Sequence, residues 1–179
     1  MKGSTVTIRR AVPEDASAIA DVHVASWRTT YPGIVDQAYI DGLSVDVRTV
    51  TWARRLEESE ASASDILVAT DTARGIVGFA SGGLLREPMA EFDGELHAIY
   101  LLASVQRAGV GRRLVREWAV RAVGRGLRAA IVRVLTANPA RAFYERLGAE
   151  RLQDAELVIG GKTYPERWYG WRNLLDLTA

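Results

Sequence analysis

The chain has 179 residues with 23 basic and 22 acidic side chains, so its formal net charge of +1 lacks the basic excess of a general nucleic-acid binder. It contains no cysteine and only two histidines, which excludes disulfides and thiolate chemistry and disfavours a histidine-rich metal cluster. No signal-peptide core and no apolar run of membrane-spanning length is present in the sequence. We therefore expect a cytoplasmic, single-domain protein over residues 1–179, with no metal, no nucleic acid and no membrane among its partners.

Hydrophobic periodicity and turn residues predict strands and helices that alternate along the chain. The alternating residues 5–10 predict a first strand, and the acidic turn after Pro13 opens a helix that stops at Tyr31-Pro32-Gly33. Residues 36–58 have helical character in two pieces. Helices are also predicted after Gly109 and from Asn138 to Gly148, and further strands over 66–69, 76–85, 94–102, 130–135, 151–159 and 163–171. This order predicts an α/β fold with a mostly antiparallel mixed sheet and helices on both faces.

The loop between the strand 94–102 and the next helix is the most informative segment of the chain. It carries the pattern Gln-x-x-Gly-x-Gly, and a basic amphipathic helix follows at once. Glycines allow a sharp turn and close approach of a ligand, while the unpaired amides and the dipole of the helix start attract an anion. We therefore predict a phosphate site on the segment formed by Gln106, Arg107, Ala108, Gly109, Val110, Gly111 and Arg112.

Two ionisable residues precede this loop on the same strand. Glu95 and His97 are two residues apart, so their side chains are expected on one face of the strand. Either side chain could accept a proton from a substrate. A structural hydrogen bond or an exposed strand edge is the alternative interpretation of this pair.

Two motifs of the chain resemble those of the GCN5-related N-acetyltransferase (GNAT) superfamily. The acetyl-CoA signature Gln/Arg-x-x-Gly-x-Gly/Ala is matched by Gln106, Gly109 and Gly111. The second motif, an asparagine leading to Phe-Tyr-Glu-Lys/Arg-x-Gly, is matched by Asn138 and residues 143–148. The resemblance implies an N-acetyltransferase domain whose central strands splay apart, with acetyl-CoA as cosubstrate and a small-molecule or peptide amine as acceptor.

The resemblance also implies which residues contact the cosubstrate. It places the backbone of Ile99 and Leu101 along the pantetheine arm, and the pyrophosphate on the amides of residues 107–112. It adds Asn138 and Tyr144 to the cofactor-binding residues. Tyr144 matches the tyrosine that acts as general acid toward the departing thiolate, although an ordinary core aromatic is the alternative.

The acceptor side of the reaction is assigned in the same way. In the superfamily the general base often comes from the fourth strand, so Glu95 is the preferred base and His97 its partner or alternative. Trp27 and Tyr31 match the junction that lies over the acceptor site, where aromatic rings could hold a cationic amine.

Two functions remain open from the sequence. The first is catalysis of acetyl transfer, which the combination of Glu95, His97 and Tyr144 favours. The second is a non-catalytic acyl-CoA-binding sensor or partner module. A nucleotide-binding P-loop is disfavoured because no Gly-Lys-Ser/Thr follows the loop. The acceptor, the acyl-chain length and the oligomeric state stay open, and exposed edges of the terminal hairpin leave a homodimer among the options.

Overall fold

A computed structural model describes residues 5–59 and 61–179. The strands are β1 (Val6–Arg10), β2 (Asp65–Asp71), β3 (Gly75–Leu84), β4 (Gly94–Leu101), β5 (Ala130–Leu135), β6 (Glu150–Ile159) and β7 (Lys162–Trp171). The helices are α1 (Ala16–Thr30), α2 (Gln37–Asp41), α3 (Val45–Glu58), α4 (Val110–Gly124) and α5 (Arg141–Arg146). Each predicted strand and helix has a counterpart here, with bounds that differ by a few residues.

The described strands form one seven-stranded sheet in the order β1-β2-β3-β4-β5-β7-β6. Neighbouring strands are antiparallel except β4 and β5, which are parallel. The prediction of a mostly antiparallel mixed sheet is therefore confirmed. The single parallel pair arises because α4 carries the chain back to the start of β4 before β5 begins.

Helices cover both faces of the sheet, as the sequence predicts. Adjacent residues of β2 point to opposite faces, and Val68 packs with α1 and α3 while Leu67 packs with α4. Trp52 of α3 and Trp118 of α4 are almost fully buried on their respective faces. Within the described chain, no helix is both long enough and apolar enough to cross a membrane.

Two helices begin later than the sequence predicts, and local hydrogen bonds explain both differences. Residues 13–15 form a 3-10 turn before α1, in which the Asp15 carboxylate accepts from the Val12 amide and pairs with Arg9. Similarly, the Asn138 side chain accepts from the Ala140 amide, which makes a turn before α5. Side chains that bond to nearby backbone in this way compete with regular helix.

The strands β4 and β5 separate part-way along their length. Their parallel ladder contains the pairs Gly94↔Ala130, Glu95↔Ile131 and Leu96↔Val132, and no pair beyond these. On its other side β4 has a bulge at His97, because Gly82 of β3 pairs with Leu96 and the next residue, Ser81, pairs with Ala98. A bulge bends a strand and increases its local twist. The expected splay of the central strands is therefore confirmed, and it opens a gap on the β5 side of β4.

Candidate active site

A cleft of about 1040 Å³ lies between the separated ends of β4 and β5. It is lined by β4 from Leu96 to Leu101, by the facing residues of β5, and by side chains from the glycine loop, α1 and α5. The structure therefore brings most residues of the two motifs into one cavity, although Glu145 and Gly148 are not part of its lining.

The glycine loop presents a row of free backbone donors at the start of α4. Gly109 has φ +79° and Arg107 has φ +61°, so the chain turns through left-handed conformations just before the helix. The six amides of residues 107–112 have no acceptor within residues 5–59 and 61–179, whereas the Arg113 amide bonds to the Gly109 carbonyl. Six unpaired amides beside a helix N-terminus are suited to bind an anionic group.

The side chains of this loop have different partners. Gln106 Nε2 donates to the Leu101 carbonyl at 3.2 Å, so this side chain ties the loop to the end of β4. Ser26 Oγ of α1 donates to the same carbonyl at 3.2 Å. Arg107 and Arg112 line the cleft and form no ion pair among the described residues, whereas Arg113 donates to the Val6 carbonyl at 2.9 Å. Gln106 is thus held by the protein itself, and positive charge remains at the cleft edge.

Gly111 is needed for close packing at the base of the loop. A methyl group at this position would lie 3.3 Å from Leu101 Cδ1 and 3.4 Å from Phe143 Cζ, at the tight end of real contacts. Gly124 at the other end of α4 has nothing within 4 Å of the same point. Gly124 can therefore serve as a control for a substitution at Gly111 on the same helix.

We predict that alanine has different effects on stability at these two glycines. Gly124→Ala should raise the free energy of unfolding by about 0.5–1 kcal/mol, because alanine is the better helix former. Gly111→Ala should show no such gain, since the new methyl group must push Leu101 or Phe143 aside. Urea denaturation measures both variants. An equal gain at both positions would show that the packing at Gly111 is loose.

Tyr144 of α5 lines the cleft with a hydroxyl that has no hydrogen-bond partner in the described chain. Its ring packs against Phe143 and Trp171, with ring centroids 5.2 and 6.2 Å away. Burial raises the pKa of this phenol above its usual value, so it stays protonated at neutral pH. An unpaired, protonated hydroxyl in a cleft is available to donate to a ligand.

Asn138, Tyr31 and Trp27 are also brought to the cleft. Asn138 Nδ2 donates to the Tyr31 hydroxyl at 3.3 Å, which links the loop before α5 to the end of α1. The rings of Trp27 and Tyr31 lie 4.4 Å apart. Burial raises the pKa of Tyr31, so its hydroxyl is neutral. Both polar ends of the Asn138 amide therefore have protein partners, and the two aromatic residues form one wall.

Glu95 is not exposed to the cleft. Its carboxylate is completely buried, accepts from the Arg86 backbone amide at 3.2 Å and forms an ion pair with the Arg86 guanidinium. Arg133 Nε lies 3.2 Å from the same carboxylate. Although burial alone would raise the pKa of Glu95, the hydrogen bond and charge of Arg86 lower it below its usual value. This environment favours a structural role for Glu95 over the role of base that the sequence preferred.

His97 is half-buried and lines the cleft. Its Nε2 lies 3.2 Å from the Leu84 carbonyl, which can only accept, so in the neutral ring Nε2 carries the proton and Nδ1 keeps its lone pair. Burial, followed by the charge of Arg86, lowers the pKa of His97. By contrast, His23 is buried away from the cleft, accepts from Trp52 Nε1 and has its pKa lowered to about 3 by burial. His97 is therefore the histidine that can exchange protons with a ligand.

Glu166 of β7 is a further carboxyl residue of the cleft wall. It is 4% exposed, lines the cleft and accepts from Trp168 Nε1 at 2.9 Å. Burial raises the pKa of its carboxyl, against the opposing effect of that hydrogen bond and of Arg133. Glu166 comes to the site through the β5–β7 pairing, where it lies opposite Leu135. Sequence spacing gives no signal for that contact.

We predict that Glu95→Gln lowers the free energy of unfolding by about 3 kcal/mol at pH 7, because it removes the carboxylate from a buried pair. The folded-state pKa of Glu95 is lowered, so its stabilisation is complete above the unfolded pKa of about 4.3 and is lost as pH falls through the folded value. The difference from the parent should therefore shrink in acid. Denaturation at several pH values measures it.

Glu87→Gln is the matched control for this variant. Glu87 also pairs with Arg133, at 2.9 Å, but its side chain is 64% exposed, so its loss should cost about 0–1 kcal/mol. Equal effects of the two substitutions would contradict the structural role of Glu95.

Comparison with known proteins agrees with this architecture. Residues 24–149 match the profile of the acetyltransferase (GNAT) family. The chain belongs to the GNAT family. It is also 37% identical over 172 residues to the uncharacterized N-acetyltransferase YuaI of Bacillus subtilis (strain 168), with 96% of each chain covered. The protein is therefore an acetyltransferase, as the two motifs implied.

Solved structures show the same fold at low sequence identity. PaiA N-acetyltransferase from Thermoplasma acidophilum, solved in complex with coenzyme A, has a TM-score of 0.72 and 21% identity, covering 90% of this chain and 98% of that one. YncA from Salmonella typhimurium, a putative acetyltransferase solved with its cofactor acetyl-CoA, has a TM-score of 0.69 and 19% identity, covering 94% of both. These GNAT neighbours confirm the predicted fold class.

Proposed function

We propose that this GNAT protein transfers an acetyl group from acetyl-CoA to a primary amine by direct attack. The row of six unpaired amides at residues 107–112, beside the cleft between β4 and β5, is the observation that carries this proposal. Acetyl-CoA supplies an acetyl group activated as a thioester. The chain then has to bind the phosphates, take one proton from the amine and give one proton to the leaving sulfur.

The cleft fits coenzyme A in two respects. The free amides and the unpaired Arg107 and Arg112 provide donors and positive charge for phosphates. The gap between β4 and β5 offers main-chain groups of Ile99 to an extended, amide-containing arm. The Leu101 carbonyl is already bonded to Ser26 and Gln106, so the contribution expected of Leu101 is smaller than that of Ile99.

His97 is the proposed general base. When the amine nitrogen attacks the carbonyl carbon, it must lose a proton, and Nδ1 of neutral His97 has a free lone pair. His97 replaces Glu95 in this role because Glu95 is buried outside the cleft and held as a carboxylate by Arg86 and Arg133. The lowered pKa of His97 keeps the ring neutral at physiological pH.

Tyr144 is the proposed general acid. As the carbon–sulfur bond breaks, the sulfur gains a negative charge that a phenol proton can neutralise. The products are an acetylated amine and a free thiol, so one proton leaves the amine and one arrives at sulfur. Tyr144 is suited to this step because its hydroxyl is protonated and has no competing acceptor in the described chain.

Calorimetry with coenzyme A and a thiol-release assay with acetyl-CoA and a panel of amines test the proposal together. We expect binding of coenzyme A and acetyl-dependent thiol release with at least one amine. Binding without turnover over a broad panel would favour the non-catalytic module. Failure of the protein to bind coenzyme A would refute the whole proposal.

We predict that Tyr144→Phe lowers kcat by about 100-fold and leaves the KM for acetyl-CoA nearly unchanged. The hydroxyl forms no structural hydrogen bond, so the melting temperature should stay close to that of the parent. Tyr169→Phe is the control, because its hydroxyl donates to Glu145 at 2.8 Å outside the cleft lining. That variant should lose stability and keep kcat. Full turnover by Tyr144→Phe would exclude the general-acid role.

We predict an acidic limb in the pH profile of kcat/KM that belongs to His97. A general base must be neutral, and the pKa of His97 is lowered, so the midpoint of this limb should lie below the ordinary histidine value of about 6.5. In His97→Gln, kcat should fall and this limb should disappear. An unchanged acidic limb in the variant would assign the titration to another group.

A further inference from the structure

The part of the cleft near His97 contains an arginine whose hydrogen-bond donors are only partly used. Arg86 lines the cleft with His97 and Glu166, and its side chain is half-exposed. One of its terminal nitrogens and its backbone amide bind Glu95, while Nε and Nη1 have no acceptor within the described residues. A guanidinium with free donors inside a cavity can bind an anion.

Helix α3 carries two further arginines whose charges act on this region, although neither side chain lines the cleft. Arg48 and Arg55 are seven residues apart, which places them on one face of α3, two turns from each other. Arg55 lies over the Trp52 ring at 5.0 Å, and Arg48 donates to the Tyr39 hydroxyl at 3.3 Å. Neither forms an ion pair with a described carboxylate. The charges of Arg48 and Arg86 both lower the pKa of Arg55, after the effect of burial, so the three cations repel one another.

We propose that Arg86, supported by Arg55, binds a carboxylate of the acceptor, so that the acceptor is a small amino acid rather than a simple amine or a polyamine. This inference rests on the proposed acetyl transfer and names the acceptor class for the same site. A carboxylate matches the planar donors of a guanidinium and relieves the repulsion among the three arginines. A second ammonium group on the acceptor would meet that repulsion instead.

Glu166 completes the recognition of a zwitterion. Its buried carboxyl lines the same cleft as Arg86 and His97, and one of its oxygens is bonded to Trp168. An ammonium group beside Glu166 would offset the burial that raises the pKa of this carboxyl. The amine would then lie between Glu166 and the proposed base His97, with the acceptor carboxylate toward Arg86.

A set of three matched amines tests this assignment. L-leucine, L-leucinamide and isopentylamine share a side chain and differ in the carboxylate, and equivalent sets on alanine and phenylalanine cover other side-chain sizes. In at least one set we expect kcat/KM for the amino acid to exceed that for its amide by about tenfold or more. The amide has more free amine at neutral pH, so intrinsic reactivity would give the opposite order.

Three variants separate carboxylate binding from general effects. Arg86→Gln should raise KM for the amino acid by about tenfold or more and leave KM for the matching amine nearly unchanged. Arg86→Lys, which keeps the charge, should recover part of the loss. Because Arg86 also binds Glu95, Arg55→Gln serves as a second variant that leaves this pair intact, with the same direction and a smaller effect. Arg54→Gln is the control, since Arg54 faces Glu58 on α3.

The outcomes distinguish the acceptor class from the acetyltransferase itself. Equal or better kcat/KM for amides or simple amines in every set would overturn the carboxylate site and leave the proposed function standing. A failure to bind coenzyme A would overturn both. If no set is turned over, thermal shift with coenzyme A present decides: stabilisation by amino acids alone supports the site, and equal or no stabilisation by all members refutes it.

Discussion

The separation of β4 from β5 after the pair Leu96↔Val132 is the constraint on which the rest of the structure depends. Parallel strands in the middle of a sheet normally satisfy each other's main-chain groups, so a gap leaves donors and acceptors that need other partners. The chain itself supplies two of these, because Ser26 and Gln106 both donate to the Leu101 carbonyl. The remaining gap forms the cleft. A local loss of sheet pairing thus creates the space in which the proposed ligand, an extended arm with amide groups of its own, would lie.

An ion pair connects β4 and β5 at the point where their hydrogen-bonded ladder ends. Glu95 belongs to the second of the three β4–β5 pairs, and Arg133 lies one residue beyond the last pair on β5. Their 3.2 Å contact therefore joins the two strands at the apex of the splay, with Trp168 covering the Arg133 guanidinium at 4.2 Å. Arg86 approaches the same carboxylate from the β3–β4 loop. A carboxylate stabilised by two guanidinium groups is a weaker base, which is why this position suits cohesion of the sheet better than proton transfer.

Local patterns account for what the sequence could predict. The strands 151–159 and 163–171, the helix after Gly109 and the predicted anion site of the glycine loop all depend on residues that are close along the chain. Ion-pair partners, by contrast, are distant along the chain, so local patterns do not predict them. Arg133 is 38 positions from Glu95, and any of the 23 basic side chains could have been its partner by composition alone. Glu166 reaches the cleft through strand pairing, so its place depends on a register that periodicity does not encode.

Glu95 and His97 have different environments because β4 contains one extra residue relative to β3. Alternation along β4 predicts that the two side chains share a face and hence an environment. The bulge is at His97 itself, directly after the last β4–β5 pair, so it marks the boundary between the paired and the splayed parts of the strand. Glu95 is consequently enclosed by the sheet and its arginines, whereas His97 is left at the cleft wall with one nitrogen bonded to Leu84. One extra residue in β4 therefore divides the pair into a structural anion and a histidine that lines the cleft.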